Sequence, residues 1–337
     1  MALASRFGRS LLALASTVLA GIVFTDAASA QAPRDVTIGL SSNSLGASGF
    51  RLAKELDLFE KHGLRARIIV MDTGSSVATA LISGSVQVAL AAMGELVAAR
   101  THGIPAVAAT NTYGGMSGTL VLAQSVVDRL GVSATAPLDE RLKALSGITV
   151  ATTSGTSTTT ISYREAAERA GVKFRSVYMA QDAMPAALAS GAIQGFAAGS
   201  PFWSFPITRG QGVLWISGPK GDLPADLTSS SSNFVLVMRS FAEANPDLIR
   251  QIDAVYQDFV RALDERPAEV KAVIAKLYPT LDTATIDMLF DMESFAWKAR
   301  PLTAADVAKD IGFLKKASVN LPGVDQLDPA SMLWTIR

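Results

Sequence analysis

An internal echo constrains this chain more than any single motif does. Val36-Thr37-Ile38-Gly39-Leu40 is followed by a polar loop, a helical pattern over residues 50–61, Gly63 and an extended run over 67–71. Ile148-Thr149-Val150-Ala151-Thr152, a second polar loop, a helical pattern over 158–170, Gly171 and an extended run over 174–179 repeat that order. The match tightens further on, where Ala80-Leu81-Ile82-Ser83-Gly84-Ser85-Val86-Gln87 aligns with Ala187-Leu188-Ala189-Ser190-Gly191-Ala192-Ile193-Gln194. The spacing of the two copies is 107 to 112 residues. Each copy reads as a short helix ending at glycine, a buried strand, another helix (94–102 and 201–209) and a further strand. Strand and helix alternating in this way build parallel βαβ units in open sheets with helices on both faces. A period this long, used twice, indicates two similar lobes and not a solenoid.

Two extended runs, residues 117–123 and 232–238, lie between the copies and after the second one. They are expected to cross between the lobes as a two-strand hinge. From Phe241 onward the pattern is helical: Ile249, Ile252, Val255, Phe259 and Leu263 keep a helical period, and Asn245-Pro246 and Arg266-Pro267 suit helix starts. This tail is expected to return to the first lobe. The expected division is therefore lobe 1 over 31–118 plus 238–337 and lobe 2 over 119–237.

Residues 1–30 read as an export signal, with Arg6 and Arg9, an apolar run over 11–24, and Ala28-Ser29-Ala30 before the expected cleavage at Gln31. The alternative is a membrane anchor, but the run is shorter than the roughly 20 residues a span requires. The chain contains no cysteine, which removes disulfides, thiolate ligands, a cysteine nucleophile and the acceptor for a lipoprotein anchor. Without Arg6, Arg9 and Asp26 the balance is 28 basic against 29 acidic residues, so nothing favours nucleic acid or a charged membrane. The two histidines, His62 and His102, each precede a glycine where a helix should end, a place suited to complementing the helix dipole.

The strand-loop-helix opening, Thr73-Gly74-Ser75-Ser76 ahead of Ala80-Leu81 and Gly84, Gly147-Ile148-Thr149-Val150 with its hydroxyl-rich loop, and Ala187-Leu188 ahead of Gly191 resemble the solute-binding proteins of ABC importers for nitrate, sulfonates, taurine and thiamine precursors. The resemblance runs over most of residues 36–320. It implies the two-lobed, type II periplasmic-binding-protein fold, closure on a small molecule, and docking on a membrane permease outside this chain. Gln87 and Gln194 stand where the family often has an acidic residue, and Ser200-Pro201-Phe202 where many relatives have Glu-Pro. Those departures bear on the ligand class.

In open parallel sheets the ligand site lies beyond the carboxyl ends of the strands, where helix N-termini offer unpaired N–H groups to an anion. In the segment 152–159 every residue but Gly155 carries a hydroxyl, more than an N-cap needs, so Ser154, Gly155, Thr156, Ser157 and Thr158 are expected ligand contacts. Its lobe 1 counterpart, the loop over 41–49, contributes Ser44, Ser48 and Gly49. Thr73, Gly74, Ser75 and Ser76 form the third candidate loop, for which simple capping is an equal explanation. Met93, Tyr113, Met116, Phe202 and Trp203 are candidate apolar walls or, equally, core. No lysine or arginine falls within the three loops, which leaves backbone and hydroxyl donors to carry recognition of an anionic or zwitterionic ligand.

An enzyme would need a nucleophile, a base or a metal set; no such set, no Gly-x-Ser-x-Gly and no phosphate-loop lysine occurs. The expectation is a monomeric, periplasmic solute receptor with no cofactor or metal and no nucleic-acid partner, serving an ABC importer. The alternatives are a sensor partner that presents its ligand to a membrane receptor, and a thiamine-precursor-related binding protein or enzyme. An effector domain of a transcription regulator would need a helix-turn-helix where residues 1–35 read as a leader.

Overall fold

A computed structural model of the protein describes residues 32–71, 73–155, 157–316 and 321–336. The expected leader over 1–30 and the loop residue Thr156 lie outside them. Lobe 1 begins with β1 (Arg34–Leu40), α1 (Gly49–Glu55), α2 (Leu58–Lys61), β2 (Leu64–Val70), α3 (Gly74–Ile82), β3 (Val88–Ala91), α4 (Met93–Thr101) and β4 (Ala106–Gly114). Lobe 2 follows with β5 (Thr119–Ala123), α5 (Gln124–Leu130), α6 (Leu138–Lys143), β6 (Thr149–Thr152), α7 (Thr158–Arg169), β7 (Arg175–Tyr178), α8 (Met184–Ala189), β8 (Gly195–Ala198), α9 (Ser204–Thr208) and β9 (Gly212–Ser217). The chain then returns through β10 (Ser231–Met238) to α10 (Arg239–Ala244), α11 (Pro246–Glu265), α12 (Pro267–Leu277), α13 (Thr283–Trp297) and α14 (Ala304–Lys316).

The strand orders are β2-β1-β3-β10-β4 and β7-β6-β8-β5-β9. With β1 to β4 equated to β6 to β9, the two sheets are the same, which is the echo in three dimensions. In each, one strand runs antiparallel: β10 between β3 and β4, β5 between β8 and β9. Each lobe thus takes its antiparallel strand from chain that has just left the other lobe. The expected lobe 2 over 119–237 is corrected here, because β10 hydrogen-bonds on both edges within the first sheet and its residues 234–237 are buried there. The crossings themselves are residues 115–118 and 218–230. They touch closely: a Cβ on Gly218 would lie 2.3 Å from the Gly118 carbonyl oxygen.

The helix expected over 50–61 is two helices. Asp57 sits at φ 57° and breaks it, a conformation aspartate tolerates better than most residues, and Leu58 and Phe59 beyond the break are buried. The echoed Ser-Gly pairs do what their sequence implies: α3 and α8 end at Ser83 and Ser190, and Gly84 and Gly191 follow at φ 77° and 76°. On α11, Ile249, Ile252, Val255, Phe259 and Leu263 all face the interior. There the Tyr256 and Phe50 rings meet edge-on at 5.5 Å, so the C-terminal helices pack on lobe 1.

Candidate ligand-binding cleft

A cavity of about 220 Å³ opens at the carboxyl ends of the strands and draws its walls from both lobes. Lobe 1 supplies Ser41, Ser42, Asn43 and Ser44 after β1, Val70, Met71, Thr73 and Gly74 after β2, and Gly94 and Glu95 after β3. Lobe 2 supplies Thr153, Ser154, Ser157, Thr158 and Thr159 after β6, Gln181 and Asp182 after β7, and Gly199 after β8. Ser117 reaches it from the first crossing, with Ser232 and Asn233 beside it at the start of β10.

Three helices begin at this cavity. The Thr73 hydroxyl accepts from Ser76 N at 3.1 Å and caps α3, and the Ser157 hydroxyl accepts from Thr160 N at 3.2 Å and caps α7. At α4, Glu95 Oε2 accepts from Ala92 N at 3.1 Å. Burial raises the Glu95 carboxyl above its ordinary value, while hydrogen bonds from the Glu95 and Ala92 amides oppose that rise. Gly74 lies close against Glu95: a Cβ there would sit 2.2 Å from Glu95 Oε1, so any larger residue would have to push that carboxyl group aside. Among the described residues no lysine or arginine lines the cavity, and Glu95 and Asp182 place a carboxyl group on either side.

Of the residues expected from sequence, Ser44, Thr73, Gly74, Ser154, Ser157 and Thr158 come together in this cavity. Ser48 does not: its hydroxyl donates to Ser44 O at 2.8 Å and pairs with the Tyr278 hydroxyl at 2.9 Å, holding the loop from behind. Gly49 allows close approach of the Tyr256 ring, Ser75 and Ser76 turn back to Thr73 Oγ1, and Gly155 lies against the Tyr178 hydroxyl. The expected apolar walls are core instead. Met93, Tyr113, Met116, Phe202 and Trp203 are all at most 6% exposed: Met93, Phe202 and Trp203 sit at strand-to-helix turns where the side chain drops beneath the helix, Tyr113 points inward from β4, and Met116 packs from the first crossing into the lobe 2 core.

Sequence reasoning passed over Glu95, Ser117, Ser232 and Asn233. The Ser232 hydroxyl accepts from Ser117 N at 2.9 Å and donates to Gly115 O at 2.7 Å, tying the first crossing to the start of β10. The serine run 229–232 reads from sequence only as a linker into the second crossing, since the contacts of Ser232 are to chain over 100 residues away. Gln87 and Gln194 were expected to bear on the ligand, and the structure corrects this. They lie at the amino ends of β3 and β8, away from the cavity, where Gln87 Oε1 accepts from Thr37 N at 2.7 Å and Gln194 Oε1 from Thr149 N at 2.9 Å. His62 contacts Asp258 at 3.1 Å and His102 contacts Ala98 O at 2.8 Å, both at helix ends. No three described His, Cys, Asp or Glu residues converge as a metal site.

The sequence profile of the NMT1-like family matches residues 29–278. No curated protein matches the sequence. Among solved structures, the alkanesulfonate-binding protein SsuA from Xanthomonas axonopodis pv. citri, bound to MOPS, is similar at TM-score 0.70 and 18% identity, over 90% of this chain and 99% of that one. The periplasmic aliphatic sulphonate binding protein SsuA from Escherichia coli gives 0.63 and 18%, over 88% and 97%. The periplasmic nitrate-binding protein NrtA from Synechocystis PCC 6803 gives 0.58 and 16%, over 88% and 92%. At such identities the likeness concerns the fold, which is the two-lobed fold of periplasmic binding proteins. With its profile spanning both sheets and the cleft between them, the chain belongs to the NMT1-like family.

Proposed function

We propose that this protein is the periplasmic solute receptor of an ABC importer, which takes a small solute between its lobes and hands it to a membrane permease. The observation that carries this reading is the cavity itself, walled by donors of both lobes, so that one bound molecule bridges them and favours the closed form. Three helix N-termini and the hydroxyls of Ser44, Thr73, Ser154, Ser157 and Thr158 suit an anionic group. Glu95 and Asp182, with no basic residue among the described lining residues, suit a cationic group in the same molecule. A small zwitterion, such as an amino-sulfonate or amino-carboxylate, meets both conditions better than a bare anion does.

The test is a thermal-shift panel on the mature protein with alkyl sulfonates, taurine, nitrate, aromatic carboxylates and pyrimidines. A ligand at 100 times its dissociation constant adds about 2.7 kcal/mol to stability. Selective stabilisation by a zwitterion supports the reading. Stabilisation by nitrate alone overturns the zwitterion, and a shift unaltered by substitution of Ser157 and Thr158 places the ligand outside this cleft.

A further inference from the structure

Behind the cleft floor the lobes meet again. Ser44 and Gly199 line the cavity, and their chain neighbours join across it: Leu45 N donates to Ser200 O at 2.6 Å. Ser200 follows β8 in lobe 2. Its hydroxyl accepts from Trp203 Nε1 at 2.9 Å and donates to Glu293 Oε1, on α13 of lobe 1. Glu293 is fully buried, and among the described residues Ser200 alone makes a hydrogen bond of good geometry to its carboxyl group. Its Oε2 has no partner, although the Tyr113 hydroxyl, equally without one, is near enough to influence its ionisation. The groups around it are phenols that stay neutral below about pH 10: Tyr113 on β4, Tyr256 on α11 beside Tyr113, and Tyr278 after α12, whose ring carries the Arg51 guanidinium 5.8 Å from its centroid. A carboxylate closed in with one donor is poorly solvated, whereas the neutral acid is well suited to the place.

We propose that Glu293 is a proton-operated latch between the lobes, holding them together when protonated and releasing them when ionised. Opening separates Ser200 from Glu293 and admits water to the carboxyl group. Burial pushes that group up to about 7 in the closed form from an ordinary value of 4.5, against the Ser200 hydrogen bond and the opposing influence of the nearby Tyr113 hydroxyl. The closed form therefore binds the proton more tightly, so low pH favours closure, and the advantage is lost as pH rises from about 4.5 through about 7. If the open form hydrates Glu293 fully, the closing constant falls about 70-fold between pH 5 and pH 8. Asp310 is a second buried carboxyl, pushed up to about 6, but it receives Ser230 N and the Ser230 hydroxyl within the lobe 1 end of the return crossing. A Glu293 variant separates the two.

The latch needs the lobes to move, as the receptor reading has it, but needs no known ligand; the solute panel tests the receptor reading independently. The absence of native cysteine allows spin labels at Arg65→Cys in lobe 1 and Lys173→Cys in lobe 2, positions 68% and 82% exposed. Inter-label distances are measured between pH 5 and pH 8 without solute. The expected result is a shift from the short to the long population in the labelled protein, and a population in Glu293→Gln that stays near the pH 5 distribution throughout. Ser200→Ala keeps the carboxyl group but removes the donor that favours its ionised form, so at pH 8 it opens further than the parent. A parent distribution unchanged by pH, or a Glu293→Gln protein that shifts as the parent does, overturns the latch. If Glu293→Gln does not fold, a Ser200→Ala response identical to the parent's overturns it equally.

Discussion

Substitution of Gly218 by alanine tests whether the two crossings depend on backbone-to-backbone contact. The new Cβ would lie 2.3 Å from the Gly118 carbonyl oxygen and 3.0 Å from that of Met116, the first about 1 Å inside ordinary contact. Both obstacles are backbone and cannot rotate away, so the crossings must separate. Overpacking of this kind costs about 1–3 kcal/mol, and the immobile neighbours put Gly218→Ala in the upper half of that range. Gly118→Ala is the internal comparison. Its Cβ would approach Thr159 Cγ2 at 2.4 Å and Oγ1 at 2.6 Å, but that side chain sits at the cavity edge and can change rotamer, so the cost is about 1 kcal/mol or less. Urea unfolding of both variants, with the slopes compared to establish that the unfolded state is unaltered, gives the difference. In a chain of this length the Gly218 variant melts about 3–5 °C lower. A Gly218→Ala protein within 0.5 kcal/mol of the parent, or a Gly118→Ala protein as unstable as it, refutes the reasoning.

Gln87→Ala and Gln194→Ala each leave a strand N–H without its acceptor and cost about 1–2 kcal/mol; lying in different lobes, they add within about 0.5 kcal/mol in the double variant and leave ligand-induced thermal shifts unchanged. Ser157→Gly separates capping from ligand contact, because glycine keeps α7 to within a few tenths of a kcal/mol while a ligand that uses the hydroxyl loses most of its stabilising effect in the thermal-shift assay. The Arg300 guanidinium, helped by Thr303, holds the Asp306 carboxyl well below the usual carboxylate range. A lowered folded value stabilises above about pH 4 and is lost as pH falls through it, so urea unfolding between pH 2 and pH 6 should show a flatter acid limb in Asp306→Asn than in the parent.

The sequence by itself determined the architecture of two matched sheets, because each βαβ unit is specified locally. Alternating burial, a Ser-Gly helix stop and a polar loop before the next helix are contacts between residues a few positions apart. It also placed the hydroxyl loops after β1, β2 and β6 at one end of the sheets, since the carboxyl end of a parallel strand is where the chain turns into a helix. The loop residues Ser44, Thr73, Ser154, Ser157 and Thr158 were legible on that ground. What sequence could not supply was any relation between distant chain segments. Lobe membership of β10 was decided by hydrogen bonds to β3 and β4, over 100 residues upstream, which no local pattern encodes. Phe202 and Trp203 looked like cleft walls in a loop of the right kind, and only packing showed that they face inward. Gln87 and Gln194 looked like ligand-class markers, and only register put them at the far ends of their strands. Glu293 lies on a helix that reads as ordinary amphipathic chain. Its environment exists only once α13 packs on β4 and the lobes close Ser200 over it, because the solvation of a carboxyl group is set by what surrounds it in space and not by its neighbours in sequence.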